Sequence, residues 1–127
     1  MSEWTSDDRS MIGAAEEVRI APLGRDGTLG KRVTVWAVRL GDDLYVRSVN
    51  GRSATWFRRA QVGHEGRLWA GGVEKDVTFV ETDDRNEEID AAYRAKYGRR
   101  YPSIVPDIMT PAARAATLKV LPRSTSS

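Results

Sequence analysis

One short run of residues combines the side chains that bind anions. It is LYVRSVNGRSATWFRR, residues 44 to 59, which begins as an apolar run and passes through Asn50-Gly51 into a segment rich in arginine and aromatic residues. Arg52 and Ser53 follow that pair directly. A guanidinium and a hydroxyl beside the free amides of a helix start would hold a phosphate, because the helix dipole also favours negative charge there. The segment therefore predicts an anion site, provided that a helix follows the turn.

Two local structures are consistent with the Asn-Gly pair, and the sequence leaves both open. The pair is a strong hairpin signal, since both residues tolerate the positive φ of a type I′ turn. However, Ser53, Trp56, Phe57 and Ala60 recur at helical spacing and do not alternate. This spacing favours strand, turn and helix, with Ser53 as the N-cap and Gly63 just past the C-terminal end. In the simplest version of that structure, Ser53 only caps the helix and no ligand is involved.

A second basic pair, Lys31-Arg32, opens the β-branched run KRVTVWAVRL. If this run pairs with residues 44 to 49 as an antiparallel hairpin, its start lies beside the end of its partner and so beside the Asn-Gly turn. Arg32 is then the better phosphate ligand, because a planar guanidinium makes paired contacts with phosphate oxygens. The alternative is that both side chains only protect the end of an edge strand.

The periodicity of the chain predicts the elements that would position these groups. Six strands are expected, at residues 17 to 23, 31 to 40, 44 to 49, 67 to 70, 76 to 82 and 116 to 121. Three helices are expected, at residues 6 to 16, 54 to 62 and 85 to 97, with one further helical turn at Thr110-Pro111. Thr5 and Asp84 are the expected N-caps of the first and third helices, and Gly98 is the expected stop of the third.

The second strand is apolar on both faces, which is unusual for a sheet with one face open to water. One face carries Val33, Val35 and Ala37, and the other carries Trp36, Val38 and Leu40. Closure of the sheet into a barrel, or cover by a partner subunit, would explain both faces.

Composition limits the domain organisation and the class of function. The 127 residues, 40% of them hydrophobic, fit one domain over residues 1 to 123 with a disordered tail at 124 to 127. The absence of cysteine removes disulfides and thiolate metal sites, so we expect a cytoplasmic protein. No apolar segment approaches the roughly 20 residues that cross a bilayer, so a membrane is not an expected partner.

Charge and histidine content exclude further classes. Twenty basic against 18 acidic residues leave a net charge of +2, which is too little for a nucleic-acid-binding surface. His64 is the only histidine and no Gly-x-Ser-x-Gly motif is present, so a hydrolase triad is not expected. Scattered carboxylates around one histidine predict no metal site.

Two longer stretches carry a family resemblance. GKRVTVWAVRLGDDLYVRSVNGRSATWFRRAQ, followed by GRLWAGGVEKDVTFVE, resembles the split β-barrel family of flavin- and deazaflavin-binding oxidoreductases, the pyridoxamine phosphate oxidase-like fold. With EIDAAYRAKYG and ATLKVLPR included, the chain looks closest to an uncharacterised bacterial branch known as a domain of unknown function. The resemblance covers residues 17 to 123. It implies a mainly β, α+β fold: a six-stranded antiparallel split β-barrel with short flanking helices.

The same resemblance implies a homodimer with a cofactor, FMN or a deazaflavin, in a groove between subunits. Carried over by position, the cofactor-binding residues are Lys31, Arg32 and Thr34 on the second strand, Asn50, Gly51, Arg52 and Ser53 in the loop, and Trp56 beneath the site. The resemblance assigns no catalytic residue. The expected activity is hydride transfer to a small organic acceptor. A binding or interaction module without redox function, and a cofactor-free enzyme that uses the same groove, are the alternatives.

Overall fold

A computed structural model describes residues 4–15, 17–24, 27–83 and 85–122. Seven strands form one antiparallel sheet in the order β2-β1-β5-β6-β7-β4-β3, which curls into a nearly closed split barrel. The strands are β1 (Val18–Pro22), β2 (Val33–Val35), β3 (Ala37–Leu40), β4 (Asp43–Arg47), β5 (Glu65–Ala70), β6 (Val73–Glu81) and β7 (Thr117–Pro122). The predicted fold class is therefore confirmed.

Four α-helices flank the barrel, at α1 (Ser6–Ala14), α2 (Thr55–Gly63), α3 (Asn86–Tyr97) and α4 (Pro111–Arg114). Two 3-10 turns, Gly51–Ser53 and Val105–Ile108, complete the regular structure. Thr5 caps α1 with its side chain and α3 ends before Gly98, as the sequence predicts. Thr110 caps α4, the predicted helical turn, with its side chain. Asp84, the expected cap of α3, and the tail at 124 to 127 lie outside the described residues.

The structure has one more strand than predicted, because the second run breaks at Trp36. Val33–Val35 pairs with β1, whereas Ala37–Leu40 pairs with β4. β2 and β3 are thus neighbours in the chain but lie at opposite edges of the sheet. A bend at Trp36 brings the two edges together, and this bend gives the barrel its shape.

The two apolar faces of this run have different covers. Val35 and Ala37 face the barrel interior, where they join the main hydrophobic core with β1, β5, β6 and β7. Val38 lies in a second cluster with Tyr93 and Tyr97 of α3. The barrel interpretation of the sequence is confirmed for the inner face. The protein's own helix α3 covers the outer face, because its apolar residues recur along one side.

Within the ranges given above, no helix is both long and apolar enough to cross a membrane.

Candidate functional site

The segment after β4 forms a turn and then a helix. The Gly51 amide donates to the Ser48 carbonyl oxygen at 3.0 Å, and Gly51 adopts a φ of 75°, which glycine tolerates best. Asn50 keeps a φ of −84°, so the pair does not form a type I′ turn. The predicted strand, turn and helix are confirmed, and the hairpin alternative is wrong.

The ends of α2 differ from the prediction by one residue each. Ala54, and not Ser53, is the N-cap, because the Ser53 hydroxyl donates to the Asn50 carbonyl oxygen at 3.2 Å inside the 3-10 turn. Gly63 is the last helical residue, and His64 takes the left-handed conformation with a φ of 60°. The first turn of α2 therefore has no side-chain cap.

The Arg52 side chain contacts residues from distant parts of the chain. Its guanidinium contacts Glu81 at 2.9 Å and donates to the Ala115 carbonyl oxygen at 2.7 Å. Gly51 is buried against Ala112, to which a β-carbon at this position would approach within 3.3 Å. Arg52, Gly51 and Ser53 stay predicted cofactor ligands, and a ligand that recruits Arg52 must replace Glu81.

Lys31 and Arg32 do not belong to a hairpin with β4, although the sequence predicts one. The strand that pairs with β4 is β3, which begins at Ala37. Pairing with β4 therefore does not bring the basic pair beside the turn, and the prediction that it does is wrong. Both side chains are exposed, and both residues directly precede β2. The Arg32 guanidinium lies 4.1 Å from the centre of the Trp69 ring, a cation–π distance.

A cleft at the bend between β2 and β3 brings three of the predicted residues together. Thr34, Asn50 and Trp56 line it, and its volume is about 220 Å³. Trp36 lies on its wall as well, so two indole rings border the same space. We call it the Trp36–Trp56 cleft. The remaining lining residues are Val35, Arg47, Ser48, Val49, Ile104 and Ile108.

Trp36 is held in a stack of aromatic rings. Its ring lies parallel to that of Tyr97 at 4.1 Å between centroids, and the Tyr101 ring lies 5.1 Å away. The Tyr93 hydroxyl donates to the Trp36 carbonyl oxygen at 2.6 Å. These contacts fix one wall of the cleft before any ligand arrives, which lowers the entropic cost of binding.

The Ser48 hydroxyl is the one buried side-chain polar atom of the cleft that has no hydrogen-bond partner among the described residues. The side chain is 1% exposed, and its Oγ makes no hydrogen bond. A buried polar atom of this kind costs about 1–3 kcal/mol. A ligand atom in the cleft that accepts from or donates to this hydroxyl would recover that cost. Nothing in the local sequence pattern distinguishes Ser48 from any other serine after a strand, so it is not among the predicted site residues.

Arg47 supports the floor of the cleft and has no donor left for a ligand. Its Nε donates to Thr117 Oγ1 at 3.0 Å, and its Nη2 donates to the carbonyl and amide oxygens of Asn86 at 3.2 and 3.0 Å. Its Nη1 donates to the Ile108 carbonyl oxygen at 3.2 Å and pairs with Asp90. All five guanidinium N–H groups are used, so Arg47 positions the cleft and does not bind in it.

A sequence signal for this network exists. Arg47 interrupts an otherwise apolar strand, and Asp90 interrupts the apolar face of α3. Two opposite charges at core positions are expected to pair, because an unpaired buried charge is strongly unfavourable. Arg114 also pairs with Asp90, so the carboxylate joins two arginines on different elements.

Lys96 of α3 lies close to the aromatic stack. Its Nζ donates to the Ala37 carbonyl oxygen at 2.6 Å and lies 5.0 Å from the Tyr97 ring. Burial lowers the pKa of Lys96 from 10.5 to about 8, because the charged ammonium loses hydration.

This shift predicts a rise in stability with alkaline pH. Between pH 8 and 10.5 the unfolded chain holds a proton on Lys96 that the folded protein has released, so the free energy of unfolding increases with pH in this interval. In Lys96→Met, urea denaturation across the same pH range should show a smaller rise. Lys75→Met, at an exposed lysine, should follow the wild type. Parallel curves for all three proteins would contradict the shift.

The sequence matches the model of one protein family. The model of a family described as "Uncharacterized protein conserved in bacteria (DUF2255)" matches residues 9–120. The chain belongs to this family. The suspected membership in a bacterial family of unknown function is thereby confirmed. A search of curated proteins gave no match.

Solved structures share the fold of this DUF2255 member. An F420 reductase has a TM-score of 0.55 and 18% identity, with 93% of each chain covered. An FAD-binding protein from Mesorhizobium loti has a TM-score of 0.59 and 15% identity, over 95% of this chain and 91% of its own. HutZ, a heme storage protein from Vibrio cholerae, has a TM-score of 0.56 and 13% identity, over 94% and 89%. Identities this low establish a common fold.

Proposed function

We propose that the protein binds a flavin or deazaflavin in the Trp36–Trp56 cleft and transfers a hydride to a small organic acceptor. The observation that carries the proposal is the buried, unpartnered Ser48 hydroxyl in a cleft that Trp36 and Trp56 also line. Split barrels of this fold include an F420 reductase and an FAD-binding protein, which supports the same class of ligand here.

The chemistry of the cleft suits a planar, conjugated ring with polar edges. Trp36 and Trp56 offer faces for stacking, and Ser48 offers a hydrogen bond at the buried end. Thr34 and Asn50 are exposed and supply polar atoms at the rim. These residues would orient the ring and exclude water from one of its faces.

The anionic part of such a cofactor requires basic groups outside the cleft. Lys31 and Arg32 are exposed directly before β2, the strand that carries Thr34, and Thr34 itself lines the cleft. We assign the phosphate or acidic tail to this pair. Arg52, with Gly51 and Ser53, is a further candidate on the other side of the turn.

A bound flavin or deazaflavin would itself accept a hydride and pass it on. The protein therefore needs no catalytic triad. The chain contributes position and electrostatics. Arg47 and Asp90 hold β4 and α3 together beneath the cleft, and the Tyr97 ring holds Trp36 in place.

The size of the cleft supports a homodimer. Pockets that enclose ligands of this class usually measure roughly 300–1,000 Å³, whereas the cleft of one chain measures about 220 Å³. Val49 and Ile104 line the cleft with 50% and 48% of their surface exposed. A second copy of the chain that covers these side chains would complete the site.

Heme is the competing ligand, because HutZ shares the fold. Protein ligands of heme iron are histidine, cysteine, methionine or tyrosine side chains. None of these lines the cleft in the described part of the chain, and His64 lies at the far end of α2. The residues of the cleft therefore favour a flavin-type ligand.

Titration with FMN, riboflavin and a 5-deazaflavin tests this proposal. We expect FMN to bind at micromolar concentration with quenching of its fluorescence, and riboflavin to bind about tenfold more weakly because it lacks the phosphate. In Arg32→Ala that difference should shrink, whereas in Arg99→Ala, an exposed arginine at the end of α3, it should persist.

No binding of any of the three at tens of micromolar would remove the flavin proposal. Binding without reduction of the ligand by a nicotinamide donor would favour the interaction module. If Arg32→Ala keeps the wild-type difference in affinity between FMN and riboflavin, the phosphate site would instead be assigned to Arg52.

A further inference from the structure

A second cavity lies between α2 and the described residues 23–24 and 28–30, which follow β1. Its volume is about 840 Å³, and it shares no lining residue with the Trp36–Trp56 cleft. This volume falls within the roughly 300–1,000 Å³ of small-molecule sites. We call it the α2 groove.

The loop wall of the groove is fixed by backbone hydrogen bonds. The Gly30 amide donates to the Pro22 carbonyl oxygen at 2.8 Å, and the Leu23 amide donates to the Glu65 carbonyl oxygen at 2.8 Å. Leu23 and Leu29 form an isolated antiparallel bridge across the loop. The wall is therefore formed before a ligand binds, which reduces the cost of binding.

Apolar side chains line the loop wall and the helix wall of the groove. Leu29 lies on the loop side with 39% of its surface exposed, and Val62 lies on the helix side with 62% exposed. Leu23 adds a half-buried aliphatic side chain. Exposed apolar groups that line one concave space indicate a ligand with an apolar body.

Two guanidinium groups give the groove its charge. Arg58 and Arg59 both line it, and neither makes a hydrogen bond or ion pair with a described residue. The Arg59 guanidinium rests against Gly30, where a β-carbon would lie 3.1 Å from its Nη1. Glu65, the lone carboxylate among the described lining residues, already has an interaction of its own. The groove therefore attracts anions.

We infer that the α2 groove binds a small amphiphilic anion, with an apolar body and a single carboxylate or phosphate head. The body lies against Leu23, Leu29 and Val62, and the head pairs with Arg58 and Arg59. A guanidinium pairs with either head group through two parallel N–H bonds. This site is separate from the proposed cofactor cleft, so the protein holds two ligands at once.

Calorimetric titration of the full chain with octanoate, octyl phosphate and octan-1-ol tests the inference. We expect both anions to bind and the alcohol to bind at least about tenfold more weakly. Arg59→Ala and Val62→Ser should each weaken anion binding about tenfold, whereas Arg99→Ala, with the same loss of charge at α3, should leave it unchanged. The tighter of the two anions identifies the head group. Saturation with FMN should leave octanoate affinity unchanged.

Several results would overturn the inference. Equal affinity for octan-1-ol, or equal weakening in Arg99→Ala, would show that the guanidinium groups do not form a site. Displacement of octanoate by FMN would show that the two ligands share one site, contrary to the separate groove inferred here. Sedimentation in which the wild type is dimeric and Val62→Ser is monomeric would show that a second copy of the chain covers the groove.

Discussion

Replacing Asp90 with alanine is expected to lower the free energy of unfolding by about 3–5 kcal/mol, because it leaves a buried guanidinium without its counter-ion. Asp90 is 2% exposed and Arg47 is 1% exposed, so water cannot replace the lost partner. The same change frees Arg114 from its pair with Asp90. The loss should also disorder the floor of the Trp36–Trp56 cleft, which Arg47 lines.

Urea denaturation at neutral pH measures this effect, and α3 offers a matched control. Glu88 is an exposed carboxylate on the same helix, where it pairs with Arg85 at 2.9 Å. Glu88→Ala is expected to change stability by less than about 1 kcal/mol, as is usual for a surface ion pair. Arg47→Met combined with Asp90→Leu should lose less than the sum of the single changes, since no charge stays buried. Equal losses for Asp90→Ala and Glu88→Ala would contradict the role of the buried pair.

Ser48→Leu is expected to reduce FMN affinity by about 100-fold or more, equivalent to about 2.7 kcal/mol. The larger side chain occupies part of a cleft of about 220 Å³ and removes the hydroxyl at its buried end. Fluorescence titration with FMN measures the loss, and circular dichroism checks the fold.

Ser48→Ala separates ligand binding from folding. We expect FMN affinity to fall about five- to tenfold, while the free energy of unfolding without ligand stays equal or rises, because an unpartnered buried hydroxyl is removed. Ser103→Ala, at an exposed serine, should change neither quantity. A Ser48→Ala protein that is less stable but binds FMN normally would assign the hydroxyl a structural role and remove it from the site.

Local signals in the sequence predict most of the fold. The strand, turn and helix around Gly51 follow from the spacing of Trp56, Phe57 and Ala60, and the helical turn at Thr110-Pro111 follows from its proline. The two apolar faces of the run from Val33 to Leu40 also appear as predicted. Each of these signals acts over a few residues, so the sequence carries it directly.

The break at Trp36 does not have such a signal. The run KRVTVWAVRL is continuous in β propensity, and only closure of the barrel requires it to bend and divide between two sheet edges. The expected hairpin contact of Lys31 and Arg32 with the turn fails for the same reason. The Ser53 hydroxyl likewise donates to the Asn50 carbonyl oxygen within the 3-10 turn. The helical spacing of nearby residues does not predict this hydrogen bond.

The sequence by itself determines most of the helices and strands of this protein, the position of its arginine-rich turn, and its membership in the DUF2255 family. Tertiary structure alone decides which polar atoms remain unsatisfied. Among the described residues the Ser48 hydroxyl lacks a partner, Arg47 uses every donor and Arg52 pairs with Glu81, because burial and distance are set by elements far apart in the chain. A ligand would form hydrogen bonds with such unsatisfied atoms, so the proposed site exists only in the folded barrel.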